Sequence, residues 1–298
     1  MLRGEEAVTS AEEFESYYGR PVLKPPVWKV PDVPLYLYLG GAAGASSTMA
    51  LLADITGRRD LARAGRLTAA VGATASVGAL VHDLGRPMRF LNMLRVFKPT
   101  SPLSVGSWIL APFSALASAG AASELTGLLP RSGRAASTAA AVLAPAMTTY
   151  TAVLLADTAV PSWHESYREL PFVFAGSAVS SAGAVSMLAA PGESAPARRM
   201  AIAGAALELV AFSRMHRSAG MVGEVYRQGR AGAVLRAARA LACIGLGAAA
   251  LSGRSRAARI TSGLCLNAAA AATRYGIFEA GRASARDPRY TVLPQHAD

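Results

Sequence analysis

Six side chains of this sequence have the chemistry to give and take protons at the edge of an apolar medium. They are His82 and Asp83, side by side, Tyr150 with Asp157 seven residues on, Tyr36, and Glu208. His164, in the loop beyond Asp157, joins them. A histidine titrates near about 6.5 when unperturbed, so small shifts carry it across neutral pH. Seven residues are close to two helical turns, which puts Tyr150 and Asp157 on roughly one face. Glu208 is the one acid well inside an apolar run. A charged side chain at mid-membrane costs ~2.5–3.5 kcal/mol on insertion scales, so Glu208 must face a cavity, pair, or stay neutral. Each group also has a plainer role open to it. Asp83 can pair with Arg86 or Arg89, Asp157 with Arg168, and the Tyr150 phenol with a neighbouring helix. Tyr36 and Tyr38 can belong to an aromatic belt, as can Trp108 and Trp163. Glu208 can lie near the end of a short helix beside Arg214 or Arg217.

Other chemistries lack their residues. There is no G-x-x-x-x-G-K phosphate loop and no H-E-x-x-H metal helix. Cys243 and Cys265 stand singly in apolar runs, form no C-x-x-C, and read as small buried hydrophobes rather than ligands of zinc or an iron–sulfur cluster. A b-type haem needs axial ligands, commonly two histidines on facing helices, and of the four histidines only His82 borders a strong apolar run, with His164, His216 and His296 in loops or the tail. No haem is expected.

The elements that must carry these groups are apolar helices. Hydrophobic residues make up 52% of the 298 residues and charged ones only 16%, against about 25% charged in ordinary soluble domains. Mean hydropathy is a modest +0.30, because the apolar runs are mostly Ala, Gly, Ser and Thr, which let helices pack closely in lipid. The 25-residue run Pro99–Ser123 and the 22-residue run Ala135–Ala156 contain no charge, whereas a soluble helix alternates charge along its length. A span needs about 20 apolar residues. Eight are expected: Val33–Ala53, Leu67–Val81, Leu103–Ser123, Ala135–Ala156, Leu170–Ala190, Met200–Phe212, Ala240–Leu251 and Ile260–Ile277. The second, sixth and seventh are short, so their flanking arginines snorkel or the helices tilt. The expected fold is thus all-α, a polytopic bundle of eight transmembrane helices over residues 33–278, with a soluble N-terminal tail (1–32) and a polar C-terminal tail (279–298). The N-terminal tail, with Glu5, Glu6, Glu12, Glu13, Glu15 and several prolines, is the reverse of a cleavable signal.

Charge adds detail. The formal +11 arises from 27 Arg, 3 Lys and 19 acids, and the basic residues lie in short clusters between apolar runs. There they anchor helix ends at lipid headgroups; a nucleic-acid partner is not expected. An even span count places both termini on one face. Four short loops on the other face hold eleven arginines and the terminal face the other 19 basic residues. By the positive-inside rule this favours cytoplasmic termini, although arginines kept for docking would give the same excess.

Three stretches carry a family resemblance: HDLGRPMRFLNMLRVFKPTSPLSVGSW (His82–Trp108), TYTAVLLADTAVPSWHESYRELPFVFAGS (Thr149–Ser177) and RYGIFEAGRASARDPRYTV (Arg274–Val292). In order and content they resemble the NrfD/PsrC family, the integral membrane anchors of polysulfide-reductase-like molybdoenzyme complexes, over nearly all of the chain after about Pro21. The resemblance implies an eight-helix bundle in the plasma (inner) membrane of a bacterium. It implies electron exchange between a membrane quinone and a four-cluster-type iron–sulfur subunit, which connects to a molybdopterin catalytic subunit. Tyr150 resembles a family tyrosine at the quinone head. Quinone chemistry needs an apolar slot, hydrogen-bond partners for two carbonyl oxygens, and groups that handle two protons. Tyr150, His82, Asp83, Asp157, Tyr36 and Glu208 are the candidates; Arg86, Arg89, Asn92, Arg95, Lys98, Arg274 and Arg289 are candidates for docking the partner. Gly85 and Pro87 shape the turn. The Arg-over-Lys and Ala bias suggests a GC-rich genome; taken as that of an actinobacterium, it favours menaquinone over ubiquinone. No redox metal is expected in this chain.

Two rivals remain open. A secondary transporter or proton channel should show broken helices and charges at mid-depth, and only Glu208 qualifies. A purely structural anchor would have the same bundle with no quinone chemistry.

Overall fold

A computed structural model describes residues 23, 24, 26–86 and 88–292. The acidic N-terminal tail up to residue 22, Pro87 and His296 lie outside the described residues. Among the described residues every regular element is helical, and eight helices have 20 residues or more: α1 (Asp32–Ile55), α2 (Arg59–Asp83), α3 (Pro102–Thr126), α4 (Pro130–Ala156), α5 (Leu170–Ala189), α6 (Ser194–Ser218), α7 (Gly229–Leu251) and α8 (Arg256–Arg286). The chain is an all-α membrane protein. Six of the eight, α1 to α5 and α7, are long and apolar enough to cross a membrane by length and composition. α6 and α8 are equally long, but charges fall within them, including Glu208, Arg274 and Glu279.

The helices start and stop where backbone chemistry dictates. Proline occupies the first turn of α3, α4 and α5, where no amide hydrogen is needed. Ser101 and Ser255 cap α3 and α8 by accepting the amides of Ser104 and Ala258. Gly127 ends α3 in the left-handed region, φ 70°. The helices expected to be short prove full-length, 25 residues for α2, 25 for α6 and 23 for α7. Hydropathy marks the lipid-matched part of a helix, whereas arginine is a good helix former and continues the hydrogen-bonded run beyond it. The polar stretch between the sixth and seventh expected spans, Arg214–Arg239, is accordingly helical except for a 3-10 turn, Gly220–Tyr226, and a short link. Likewise α8 runs on past residue 278 to Arg286.

Packing follows two four-helix cycles. α1 packs on α2, α2 on α3, α3 on α4 and α4 back on α1; α5 packs on α6 and α8, and α7 chiefly on α8 with only light contact to α6. The two sets join where α1 and α4 meet α5, and where α1 meets α8. Small residues permit these approaches. A Cβ added at Gly176 of α5 would lie 2.5 Å from the backbone nitrogen of Glu208 in α6, so only glycine fits there. Buried alanines fill most of the remaining core, with Leu37, Phe113, Met147, Trp163, Phe174 and Phe278 as the large side chains.

Three expectations about single residues are overturned. Trp163 is buried rather than interfacial: its Nε1 donates to the Ile277 carbonyl at 2.8 Å, and its ring lies against Phe278. Tyr38 points inward, donating to Asn267 Oδ1 at 2.8 Å, and Ser181 donates to the same oxygen at 2.6 Å. Cys243 lies exposed on the outside of α7, and Cys265 is half-buried. Trp108 does sit at the surface, 42% exposed, edge-on to Phe97.

Candidate functional site

The ends of α2, α4, α6 and α8 and the starts of α1, α3, α5 and α7 share one face, the face that also carries the chain's described ends. Residues 26–31 cross it as a strap before α1 begins. Trp28 stacks on Trp163 with ring centroids 5.6 Å apart. Next to it, the Lys29 amide donates to Asp83 Oδ1 at 2.8 Å and the Lys29 ammonium to the His82 carbonyl at 3.3 Å. Asp83 therefore clamps the strap and does not pair with Arg86 or Arg89. A backbone amide held at ordinary bonding distance satisfies the carboxylate without a long cationic side chain. His82 Nδ1 lies 2.8 Å from Asp32 Oδ2 in the first turn of α1. Lys29, Gly78, Val81, His82 and Gly85 border an open depression of about 380 Å³ here, mostly apolar with the exposed His82 and Lys29 as its polar side. Ligand pockets of about 300–1,000 Å³ take small organic molecules.

One helical turn beyond Asp32, on the same side of α1, stands Tyr36. Its hydroxyl is hydrogen-bonded to that of Tyr150 in α4, and the two rings meet edge to face with centroids 6.3 Å apart. Both residues are buried, at 4% and 7% exposure. Counting 1.5 Å per residue from the helix ends, the pair lies about 6–9 Å below the terminal face. Gly106 of α3 makes room for it, since a Cβ there would fall 2.7 Å from the Tyr150 ring. The structure thus brings Tyr36, Tyr150 and, through Asp32, His82 toward one line. Asp32 was not foreseen, although its spacing of four from Tyr36 was visible in the sequence.

Arg274 is the main correction. Expected on the docking face, it is 1% exposed, at the junction of the two four-helix sets. Its Nη1 donates to the Leu37 carbonyl at 2.9 Å and Thr151 Oγ1 at 3.5 Å, Nη2 to the Phe174 carbonyl at 2.6 Å, and Nε to Ser177 Oγ at 3.4 Å. The guanidinium also lies 3.9 Å over the Phe174 ring, a cation–π contact. Leu37 and Thr151 are the chain neighbours of Tyr36 and Tyr150, so this cation is fastened to α1 and α4 one residue along from each tyrosine. Lone arginines near the end of an apolar run usually anchor a helix at headgroups. Here the backbones of α1 and α5 come close enough to receive it instead.

Glu208 is buried at 5% exposure, well below the end of α6 rather than beside Arg214 or Arg217. Thr273 of α8 and Arg239 of α7 share a narrow cleft with it. Asp157 is exposed just past α4, apart from Tyr150 and not paired with Arg168 among the described residues. It lines a rim cavity of about 460 Å³ with His164, Glu165 and Tyr290. The phenol of Tyr226 donates to the Ser162 carbonyl at 2.6 Å, and burial pushes it up to about 12.

The docking candidates Arg86, Arg89, Asn92, Arg95 and Lys98 are all exposed along a loop that coils into a short helix at Met88–Met93. Met88, Leu91, Val96 and Phe97 are exposed between them, a mixture of aromatic, apolar and basic groups common at protein interfaces. Arg289 is also at the surface, held to Asp287 at 2.7 Å. That bond keeps the Asp287 carboxyl below the usual carboxylate range.

The family model for polysulphide reductase, NrfD, matches residues 22–213 of the chain. No curated protein matches it. The chain belongs to the polysulphide reductase NrfD family. The matched region takes in α1 to α5, most of α6, the strap and the tyrosine pair, and stops short of Arg274.

Proposed function

We propose that this member of the NrfD family is the quinone-reactive membrane anchor of an oxidoreductase complex. It passes electrons between the membrane quinone pool and a docked iron–sulfur subunit that serves a molybdopterin catalytic subunit. The observation that carries the reading is the Tyr36–Tyr150 pair, buried just beneath a polar face and aligned with His82 through Asp32. The donor set fits a quinone: the depression beside His82 is mostly apolar, with donors at one side. When bound, the quinone supplies two-electron, two-proton redox chemistry.

The chain's own residues have separable tasks. Val81 and Gly78 offer apolar wall at the lipid-facing side of α2, and Lys29 and His82 present donors to a carbonyl oxygen. The His82 imidazole takes or gives a proton at its ring nitrogen, and Asp32 fixes the ring's orientation from the Nδ1 side. The two phenols, each able to donate or accept, hold a proton between α1 and α4 away from bulk water. Trp28 and Lys29 keep the strap in place over this rim. The exposed loop from Arg86 to Lys98 seats the iron–sulfur subunit on the same face, which keeps the electron path short. Menaquinone is the favoured partner and ubiquinone the other. The membrane is the bacterial plasma membrane.

The test is purification of the tagged protein from its native membranes in mild detergent, read by mass spectrometry and EPR. A co-purifying multi-cluster iron–sulfur subunit, with quinone-linked turnover lost in His82→Ala and Tyr150→Phe while assembly persists, supports the reading. Turnover unchanged in both variants refutes the site and leaves a structural anchor; a bundle isolated without clusters points to the transporter.

A further inference from the structure

Glu208 has no task in the quinone site, yet its surroundings are specific. It sits on α6, where the α5 backbone passes too close for any side chain at Gly176. Among the described residues it forms no ion pair. Arg274 is within electrostatic reach, but the donors of that guanidinium end on carbonyl and hydroxyl oxygens of α1, α4 and α5, not on the carboxyl. A carboxylate so buried and not directly paired is costly, and gaining a proton relieves the cost.

Side chains along α6 and α7 lead from Glu208 toward the terminal face. The cleft that Glu208 shares with Thr273, Phe212 and Arg239 has a volume of about 10 Å³, room for about one water. Arg239 extends toward the terminal face, its guanidinium 5.5 Å from the Phe212 ring centre. One turn further, His216 packs 4.5 Å from Phe212 and 5.8 Å from Tyr226, ring centre to ring centre. Both its ring nitrogens are buried with no hydrogen-bond partner among the described residues, an independent sign that a proton-carrying group belongs there. The charged or titratable groups around Glu208 are Arg274 from α8, Arg239 from α7 and, beyond Arg274, Tyr38 from α1. α5 contributes none.

We infer that Glu208 is a proton-loading site, reached from the terminal face past His216 and Arg239, whose occupancy answers through Arg274 to charge at the tyrosine pair. The coupling rests on the quinone reading above; the loading does not. The step is a proton transfer alone: the carboxylate takes one proton from the terminal-face solution through the cleft and becomes the neutral acid. Negative charge arriving on the α1–α4 side draws on the same guanidinium whose field reaches Glu208, so the carboxyl gains its proton. Loss of that charge releases it.

The experiment is infrared spectroscopy of the native complex in lipid nanodiscs. A protonated-carboxyl band that disappears as pH rises, is lost in Glu208→Gln and moves in Glu208→Asp, establishes loading. No such band, or one that never titrates, overturns the inference. The His216→Phe variant should slow the exchange of that band with heavy water several-fold, and unchanged exchange overturns the route. Reduction of a menaquinone analogue should raise the band in the wild type and not in Arg274→Met. A band that titrates but ignores the analogue, in a complex that turns the analogue over, overturns the coupling. Absence of turnover with a titrating band places the failure in the quinone reading instead.

Discussion

The Tyr36–Tyr150 hydrogen bond gives the sharpest test of the site, because the two buried hydroxyls satisfy each other. Replacing Tyr150 by Phe removes one hydroxyl and leaves that of Tyr36 buried without its partner. Such an orphan costs about 1–3 kcal/mol, whereas removing both members of a buried pair is close to neutral. Tyr36→Phe should therefore cost about the same as Tyr150→Phe, and the double variant no more than either. The resulting coupling is about 1–3 kcal/mol between residues 114 positions apart in the chain. Thermal unfolding of the four proteins in one detergent measures it. Turnover read on the same samples separates packing from proton handling: the double variant should regain stability and not activity. Single costs that simply add would falsify the bond, and full activity in the double variant would remove the phenols from proton transfer.

Gly106→Ala should destabilise by about 1–3 kcal/mol through overpacking against the Tyr150 ring and reduce quinone turnover; a melting point within a degree of the wild type would contradict the packing. Trp163→Ala should cost about 3–5 kcal/mol as a large core deletion and free the strap that Trp28 holds, read as new protease cleavage near Lys29. Trp163→Phe should keep the strap and lose only the bond to Ile277. Asp287 contributes through a lowered carboxyl value, so its effect is fully present above the ordinary carboxylate range and is lost as pH falls through the lowered value. Arg289→Ala should accordingly let the Arg289–Val292 turn become protease-sensitive at a higher pH than in the wild type; identical pH profiles would count against the bond.

Much of the fold was legible because its central signal is simple. Apolar Ala-rich runs mark the middle of each long helix, and the structure places a long helix over each of the eight runs, six of them long and apolar enough to cross a membrane. Their ends were not legible. Arg63 and Arg66 lie inside α2 although they close the apolar run, and Arg66 bridges Asp54 of α1 at 2.5 Å and Glu124 of α3 at 2.7 Å. Partners on other helices decide that an arginine is helical and half-buried, and no local pattern contains them. The same holds at the site. Tyr150 and Tyr36 could each be singled out, but their bond depends on how α4 docks on α1. Arg274 was misplaced because its sequence surroundings match those of a headgroup anchor. Only the approach of Leu37 and Phe174 makes a buried guanidinium possible.

That misplacement bears on how the two halves of the bundle communicate. The first four helices hold the tyrosine pair and the last three hold Glu208, and α5 lies between them. Packing of small residues joins the halves mechanically, but alanine and glycine contacts carry no charge information. Arg274 is different: from α8 it bonds to α1, α4 and α5 at once and lies within electrostatic reach of α6. Burying a charge there costs several kcal/mol that an apolar side chain of similar size would not incur. The helix carbonyls it engages also have their own amide partners within α1 and α5. Stability alone therefore gives weak grounds for an arginine at this position. A fixed positive charge set between two groups of protonatable side chains is what the geometry provides, and the quinone anchor proposed above would have use for one.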